Sequence, residues 1–353
     1  MIPSHNVRAF SCAVGCLSRI GKELYIEFDP MQGLILRTLN DAKSSFCSFS
    51  FAPDFFEHCR VPLEQCNSSR KRRRRNEEEA DMEENDASQN DKYICRVSVR
   101  MVHSILRPRK GLISLRIKSH ESTNKQDSYS QISSASNFIS QDSNHTSQTS
   151  NGIYQLSFEF LLSLQGILRI TRRIPVGEAT SLKAVASRDN SSHVLSHPKA
   201  LLGLLTPIQK TTEVALGIQS QHQIISASSF HPGDTNEMVI ATSNTGHCKT
   251  ETTMGWDDLD ECYFINDRDL DDDTNIIPQN VNEEVTLVFG MKEVKAMLQF
   301  CVQANKQEED LRVTVYFEWG GRPMILEIEG EHYKGELIMA TLDHSLLVGY
   351  PTR

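Results

Sequence analysis

Phe10, Ala13, Val14, Leu17 and Ile20 recur at three- and four-residue spacings, which predicts an amphipathic helix over residues 6–21 ended by Gly21. Beyond it the apolar period falls to two. Runs at 23–29, 33–40 and 45–52, parted by Asp-Pro, Met-Gln-Gly and Asn-Asp turn signals, read as an antiparallel meander. The same succession then returns three times. A helix over 97–106, marked by Val99, Val102, Ile105 and Leu106, precedes strands at 112–118, 153–160 and 166–174. A helix over 197–208, marked by Leu201, Leu202, Leu204 and Leu205, precedes strands at 213–218, 223–230 and 237–242. The last round has a strand at 285–289, a helix over 292–304 and strands at 311–318, 323–329 and 335–342. Four helices, each associated with a run of short strands, repeat an architecture without repeating a sequence, two units to each half. The fold class expected is α+β, with the helices gathered on one side of antiparallel sheets.

Three polar segments interrupt the scheme, at 67–91, 119–150 and 244–282, and their composition predicts disordered surface insertions between strands. Within the third, 261–265 has the makings of a strand. Residues 176–190 read as a connector between two halves, consistent with a 353-residue chain that exceeds one ordinary domain. The hydrophobic fraction is 39%, and its shortfall lies in the three polar segments.

A formal net charge of −9 argues against a surface coated in cations. Acid is concentrated in two blocks, Glu77 to Glu84 and Asp257 to Asp273, and with them set aside the remainder is close to neutral and has room for a basic face. Nine cysteines without a C-x-x-C pair, and no opening secretory signal, predict a reducing compartment with neither a disulfide framework nor a zinc ribbon. No apolar run approaches the roughly 20 residues of a membrane span, so a soluble intracellular protein is expected.

Charge on the predicted helices is patterned. Arg8 and Arg19 stand eleven positions apart, three helical turns, and so share a face. Arg96 and Arg107 repeat that spacing, with Arg100 and His103 between them, and Lys199 and Lys210 repeat it around the third helix. The fourth offers Lys292 and Lys295, continued by Gln299 and Gln303, with Glu293 blunting the field. On any one helix a solvated polar face is the simpler account. Its recurrence on all four favours a surface that tracks DNA phosphates without reading bases.

The basic hexamer Arg70, Lys71, Arg72, Arg73, Arg74 and Arg75 predicts nuclear import, since the acid block that follows it would repel a phosphate backbone. Ser88, Ser130, Ser140 and Ser147 each precede glutamine, the dipeptide that DNA-damage kinases favour, and are candidate phosphorylation sites, although a Ser- and Gln-rich tract produces some such pairs by chance. No G-x-x-x-x-G-K-[ST], G-x-S-x-G or H-E-x-x-H occurs, and the aspartates at 267–273 lack the glycine and the terminal glutamate of a calcium loop. No catalytic residue, metal or cofactor is therefore expected. A DNA exonuclease and a generic nuclear scaffold stand as alternatives.

Three stretches of sequence carry a family resemblance. Leu17 to Glu27 (LSRIGKELYIE), Gly33 to Asn40 (GLILRTLN) and Phe49 to Phe56 (FSFAPDFF) closely resemble the "nine" subunit of the nine-one-one checkpoint clamp, and Gly320 to Pro323 with the final strands is similar to its end. The resemblance implies two tandem DNA-clamp domains, here 1–175 and 191–345 with a tail at 346–353, whose four helices line the inner face of a ring with antiparallel sheets outside. It also implies a heterotrimer with two unlike clamp subunits, a clamp loader, double-stranded DNA bound without sequence specificity, repair and checkpoint proteins on the outer face, and a place in the nucleus. The DNA-facing positions would be Arg8, Arg19, Arg96, Arg100, Arg107, Lys199, Lys210, Lys292 and Lys295. The helical pattern alone equally suits a self-assembling replication-type clamp. An exonuclease activity attributed to some members has no convincing site in this sequence. Members carry a long phosphorylated tail, whereas this sequence ends at Arg353, so the expectation is that the Ser-Gln loop substitutes or that this is a short form.

Overall fold

A computed structural model of the chain describes residues 1–29, 31–59, 92–122, 153–164, 166–189, 191–209, 211–230, 250–265, 284–304 and 311–343. In chain order the first half contains β1 (Ile2–Pro3), α1 (Ser4–Ile20), β2 (Glu23–Asp29), β3 (Gly33–Leu39), β4 (Ser45–Phe51), β5 (Tyr93–Ser98), α2 (Val99–Ile105), β6 (Leu112–Ser122), β7 (Ile153–Leu164), β8 (Gly166–Pro175) and β9 (Gly177–Glu178). The second half contains β10 (Ser192–Ser196), α3 (Pro198–Leu205), β11 (Glu213–Gln219), β12 (Ile224–Phe230), β13 (Glu251–Gly255), β14 (Glu261–Tyr263), β15 (Glu284–Gly290), α4 (Met291–Ala304), β16 (Val313–Phe317), β17 (Met324–Glu329), β18 (Tyr333–Met339) and β19 (Leu342–Asp343).

The strands form three antiparallel sheets. β1-β6-β7-β8 belongs to the first half and β13-β12-β11-β15-β19 to the second, while β14-β10-β16-β17-β18-β4-β3-β2-β5-β9 runs through both. The crossing point is the pairing of β18 with β4, from Tyr333↔Phe51 to Met339↔Ser45. Turn chemistry fixes the tight β2–β3 hairpin: Gly33 has φ 86°, and a Cβ there would collide with the carbonyl of Phe51.

α1 forms because its apolar positions make one continuous stripe: Val7, Phe10, Ala13, Val14, Leu17 and Ile20 are all buried. α4 does the same with Val294, Met297, Leu298 and Cys301. The helices lie side by side in the order α2, α1, α4, α3, so the middle pair joins the two halves. Beneath that joint Phe300 of α4 meets Phe49 of β4 edge-on at 4.6 Å and Tyr333 of β18 at 5.9 Å. One apolar core therefore extends from Ile2 to Met339. Each fully buried phenylalanine in it stabilises the fold by roughly 2–3 kcal/mol.

Three expectations are corrected here. The second helix begins at Val99 rather than 97, because residues 93–98 pair with β2 as strand β5, setting Arg96 opposite Tyr25. The segment 244–282 is not wholly an insertion: residues 251–255 pair with β12, and the strand expected within 261–265 is present at 261–263, paired with β10. β6 likewise runs to Ser122, into the segment expected as an insertion from 119. The expected strand at 237–242, the basic hexamer at 70–75, Ser88, Ser130, Ser140, Ser147 and Lys210 lie outside the described residues. Among the described residues no helix is long and apolar enough to cross a membrane.

Candidate nucleic-acid interface

Arg8, Arg19, Arg100, Arg107, Lys199 and Lys292 are exposed on or beside the four helices, as the charge pattern requires. Arg8 and Arg19 project toward α4: Arg8 Nε donates to the carbonyl of Gln303 at 3.0 Å, and Arg19 donates to Gln299 Oε1. These bonds pin both side chains while leaving other guanidinium N–H groups available. Arg100 and His103 stand on the exposed side of α2, and Arg107 follows the end of that helix.

Two cations, Arg96 and Lys295, are engaged differently from expectation. Arg96 lies on β5, where it forms an ion pair with Glu23 at 3.2 Å, so it does not share the α2 face with Arg107. The physical reason is that Val97 and Val99 are both buried, and a strand that runs straight into a helix blurs the change of period. Lys295 is half-buried and donates from Nζ to the carbonyl of Ile208 at 3.2 Å, and burial lowers its amine pKa. It braces α4 against the segment after α3. Lys199 is exposed in the first turn of α3, where His197 accepts a bond from its backbone N–H at 3.1 Å. Burial, with Arg312 and Lys199 nearby, lowers the His197 pKa. Glu293 turns back toward Gly290, which places its carboxylate in the first turn of α4, where a helix favours negative charge.

Arg109 joins this surface without a signal in the sequence. It follows Pro108, beyond the helix, where helical spacing has no hold; its guanidinium lies 4.5 Å over the ring of Phe160.

Away from the helices the connector is tied down at both ends. Ser181 Oγ donates to Glu27 Oε2 at 2.9 Å and accepts from Arg37 at 3.1 Å. Arg188 Nε donates to Glu327 at 2.8 Å, and Arg188 also pairs with Glu336. Burial opposes the charge on Glu27, but Ser181, Arg37 and Lys92 outweigh it and hold the carboxyl below its ordinary pKa. Asp29 is held down in the same way by Lys92 at 2.9 Å and by the backbone N–H groups of Met31 and Gln32.

Among the described residues two of the sheet-edge strands, β8 and β13, are longer than three residues. β8 pairs only with β7, and its ten residues are exposed except Ile170 and Ile174, with Ile167 at 80%. β13 closes the far end of the second-half sheet and pairs only with β12. Open edges of this length invite a further strand.

The whole chain has the fold of proliferating cell nuclear antigen (PCNA). It is similar to PCNA from Thermococcus kodakaraensis with a TM-score of 0.55 at 10% identity, covering 95% of this chain and 96% of that one. A PCNA2–PCNA3 complex from Sulfolobus tokodaii matches with a TM-score of 0.52 at 9% identity, over 96% of this chain and 97% of that one. These likenesses establish a clamp fold in which two tandem units present four helices on one side. The family model described as Rad9 matches residues 10–342, nearly the full length, and agrees with the resemblance seen in the sequence. The chain belongs to the Rad9 family.

Proposed function

We propose that this protein is a non-catalytic subunit of a heterotrimeric ring that encircles duplex DNA in the nucleus, is placed there by a clamp loader, and serves as a platform for checkpoint and repair proteins. Membership of the Rad9 family together with the clamp fold supports a DNA-clamp role in the checkpoint. The observation that carries the DNA reading is the row of helices α2, α1, α4 and α3 with Arg8, Arg19, Arg100, Arg107, Lys199 and Lys292 exposed along it, in a chain whose net charge is −9. Cations concentrated on one surface of an acidic protein mark where polyanion contact is favoured. The open edges β8 and β13 support ring closure, each adding a strand from a neighbouring subunit. Arg96 and Lys295 contribute less, since Glu23 and the Ile208 carbonyl already engage them.

The test is topological. The chain is co-expressed with candidate clamp subunits, purified and loaded onto a nicked circular plasmid. A complex of three unlike subunits that stays on the circle and slides off after linearisation is the expected result. Retention that is indifferent to DNA ends, or a chain that associates only with copies of itself, refutes the reading.

A further inference from the structure

A cavity of about 760 Å³ opens on the helical side, between α1 and α2 and against one side of α4. Its chemistry is divided. Arg8, Arg19, Arg107 and His103 stand around it, while Leu106, Phe160 and Phe300 are among the apolar residues that line it. No aspartate or glutamate among the described residues lines it, in a protein that carries 46 of them. The ligand that fits pairs an apolar body with negative charge.

Two further observations narrow its shape. The guanidinium of Arg109 lines the cavity, lies 4.5 Å from the centre of the Phe160 ring and donates from Nη2 to the carbonyl of Ile105 at 3.4 Å. A guanidinium fixed in this way is a stacking partner for a nucleobase. The facing positions of α1 are small, Ser11, Cys12 and Gly15, although glycine inside a helix costs about 1 kcal/mol relative to alanine. A Cβ on Gly15 would meet His103 Nε2 at 3.4 Å, an ordinary contact, so local packing does not demand a glycine there.

We propose that this cavity receives a single nucleotide turned out of the DNA duplex, its base entering beside Arg109 and its phosphates held by Arg8, Arg19 and Arg107. The proposal rests on the DNA-clamp reading and adds to it. A surface that otherwise tracks phosphates uniformly gains a preference for DNA with an unpaired base.

The full-length chain is titrated with a short duplex bearing one bulged 2-aminopurine, with the fully paired duplex, and with deoxyadenosine monophosphate. The bulged duplex is expected to bind about tenfold more tightly than the paired one, the factor one stacking contact supplies, with a change in 2-aminopurine emission. Cys12→Phe, which narrows the cavity on its α1 side, is expected to remove that preference and leave paired-duplex affinity unchanged. Cys12→Ala is expected to keep it, and thermal unfolding confirms that both variants are folded. Binding of the free nucleotide that competes with the bulge supports the cavity as the site. Free-nucleotide binding without any preference for the bulged duplex overturns the assignment to DNA. Equal affinity for paired and bulged duplex, a preference that survives Cys12→Phe, or equal competition by a polyglutamate peptide also overturns it. Those results leave the clamp reading standing, because that reading is decided separately by retention on the circular plasmid.

Discussion

In the first half, α1 and α2 border a cavity of about 760 Å³ ringed by arginines, whereas in the second half the void beneath α3 and α4 is about 30 Å³ and lined only by apolar side chains. The difference is one of residue size. Leu201, Leu204 and Leu205 of α3 surround the small void with Val294 and Leu298 of α4, whereas the α1 positions that line the cavity include Ser11, Cys12 and Gly15. The cations differ less: Lys295 of α4 is drawn to the carbonyl of Ile208, while Lys199 and Lys292 in the second half stay exposed, as Arg100 and Arg107 do in the first. Both copies of the architecture bury their helical stripes in one core, and the first adds an accessible cavity beside it.

The largest effect is expected where the halves share a core. Phe300→Ala should destabilise the protein by about 3–5 kcal/mol in urea unfolding. Two separated transitions would show that each half can stand alone, and a single one that they are a cooperative unit. Next is Glu27→Gln, which removes the partner of Arg37 and should cost about 3 kcal/mol, because a buried charge loses its counterpart. The Glu27 and Asp29 carboxyls are held below their ordinary values in the folded protein, so their contribution is present above the ordinary carboxylate range near pH 4 and is lost as pH falls through the folded values. The stability gap between wild type and Glu27→Gln should therefore close in acid. Arg188→Ala, which removes the partly exposed pair between the connector and Glu327 of the second half, should cost about 1 kcal/mol or less.

Electrostatic predictions separate the helix pairs. Replacing Arg100 and Arg107 by alanine should weaken duplex binding and reduce the slope of log affinity against log salt by about 2, one for each phosphate no longer neutralised. Replacing Lys292 and Lys295 should reduce it by about 1, since only Lys292 is free. Equal slopes would abolish the distinction between the halves. The smallest effects belong to the helical glycines. Gly203→Ala in α3, with nothing within 4 Å of the new methyl, should stabilise by about 0.5–1 kcal/mol. Gly15→Ala should gain less because the methyl meets His103.

The sequence is most readable where one face of an element is buried by its own pattern. Phe10, Ala13, Val14, Leu17 and Ile20 announce α1 because they alone specify its buried stripe. β13 is not readable, because Thr252 and Thr253 owe their strand conformation to pairing with β12, and to the bond from Thr252 Oγ1 to the carbonyl of Leu204 at 2.6 Å, rather than to any apolar alternation. The candidate site divides in the same way. Arg8 and Arg19 follow from spacing within a helix. Arg109 and the small residues that open the cavity depend on distant chain segments brought together, and spacing does not encode them.

The pairing of β18 with β4 has a mechanical consequence. Hydrogen bonds across the boundary make the two halves one continuous beam, reinforced from above by Phe300. Bending the chain at its midpoint would mean tearing a seven-residue ladder, from Tyr333↔Phe51 to Met339↔Ser45, and exposing the aromatic core beneath it. Separating a strand docked on the open edge of β8 would disturb none of that interior. Any ring assembled from such chains gives way at the seams between them, and each chain swings as a stiff arc.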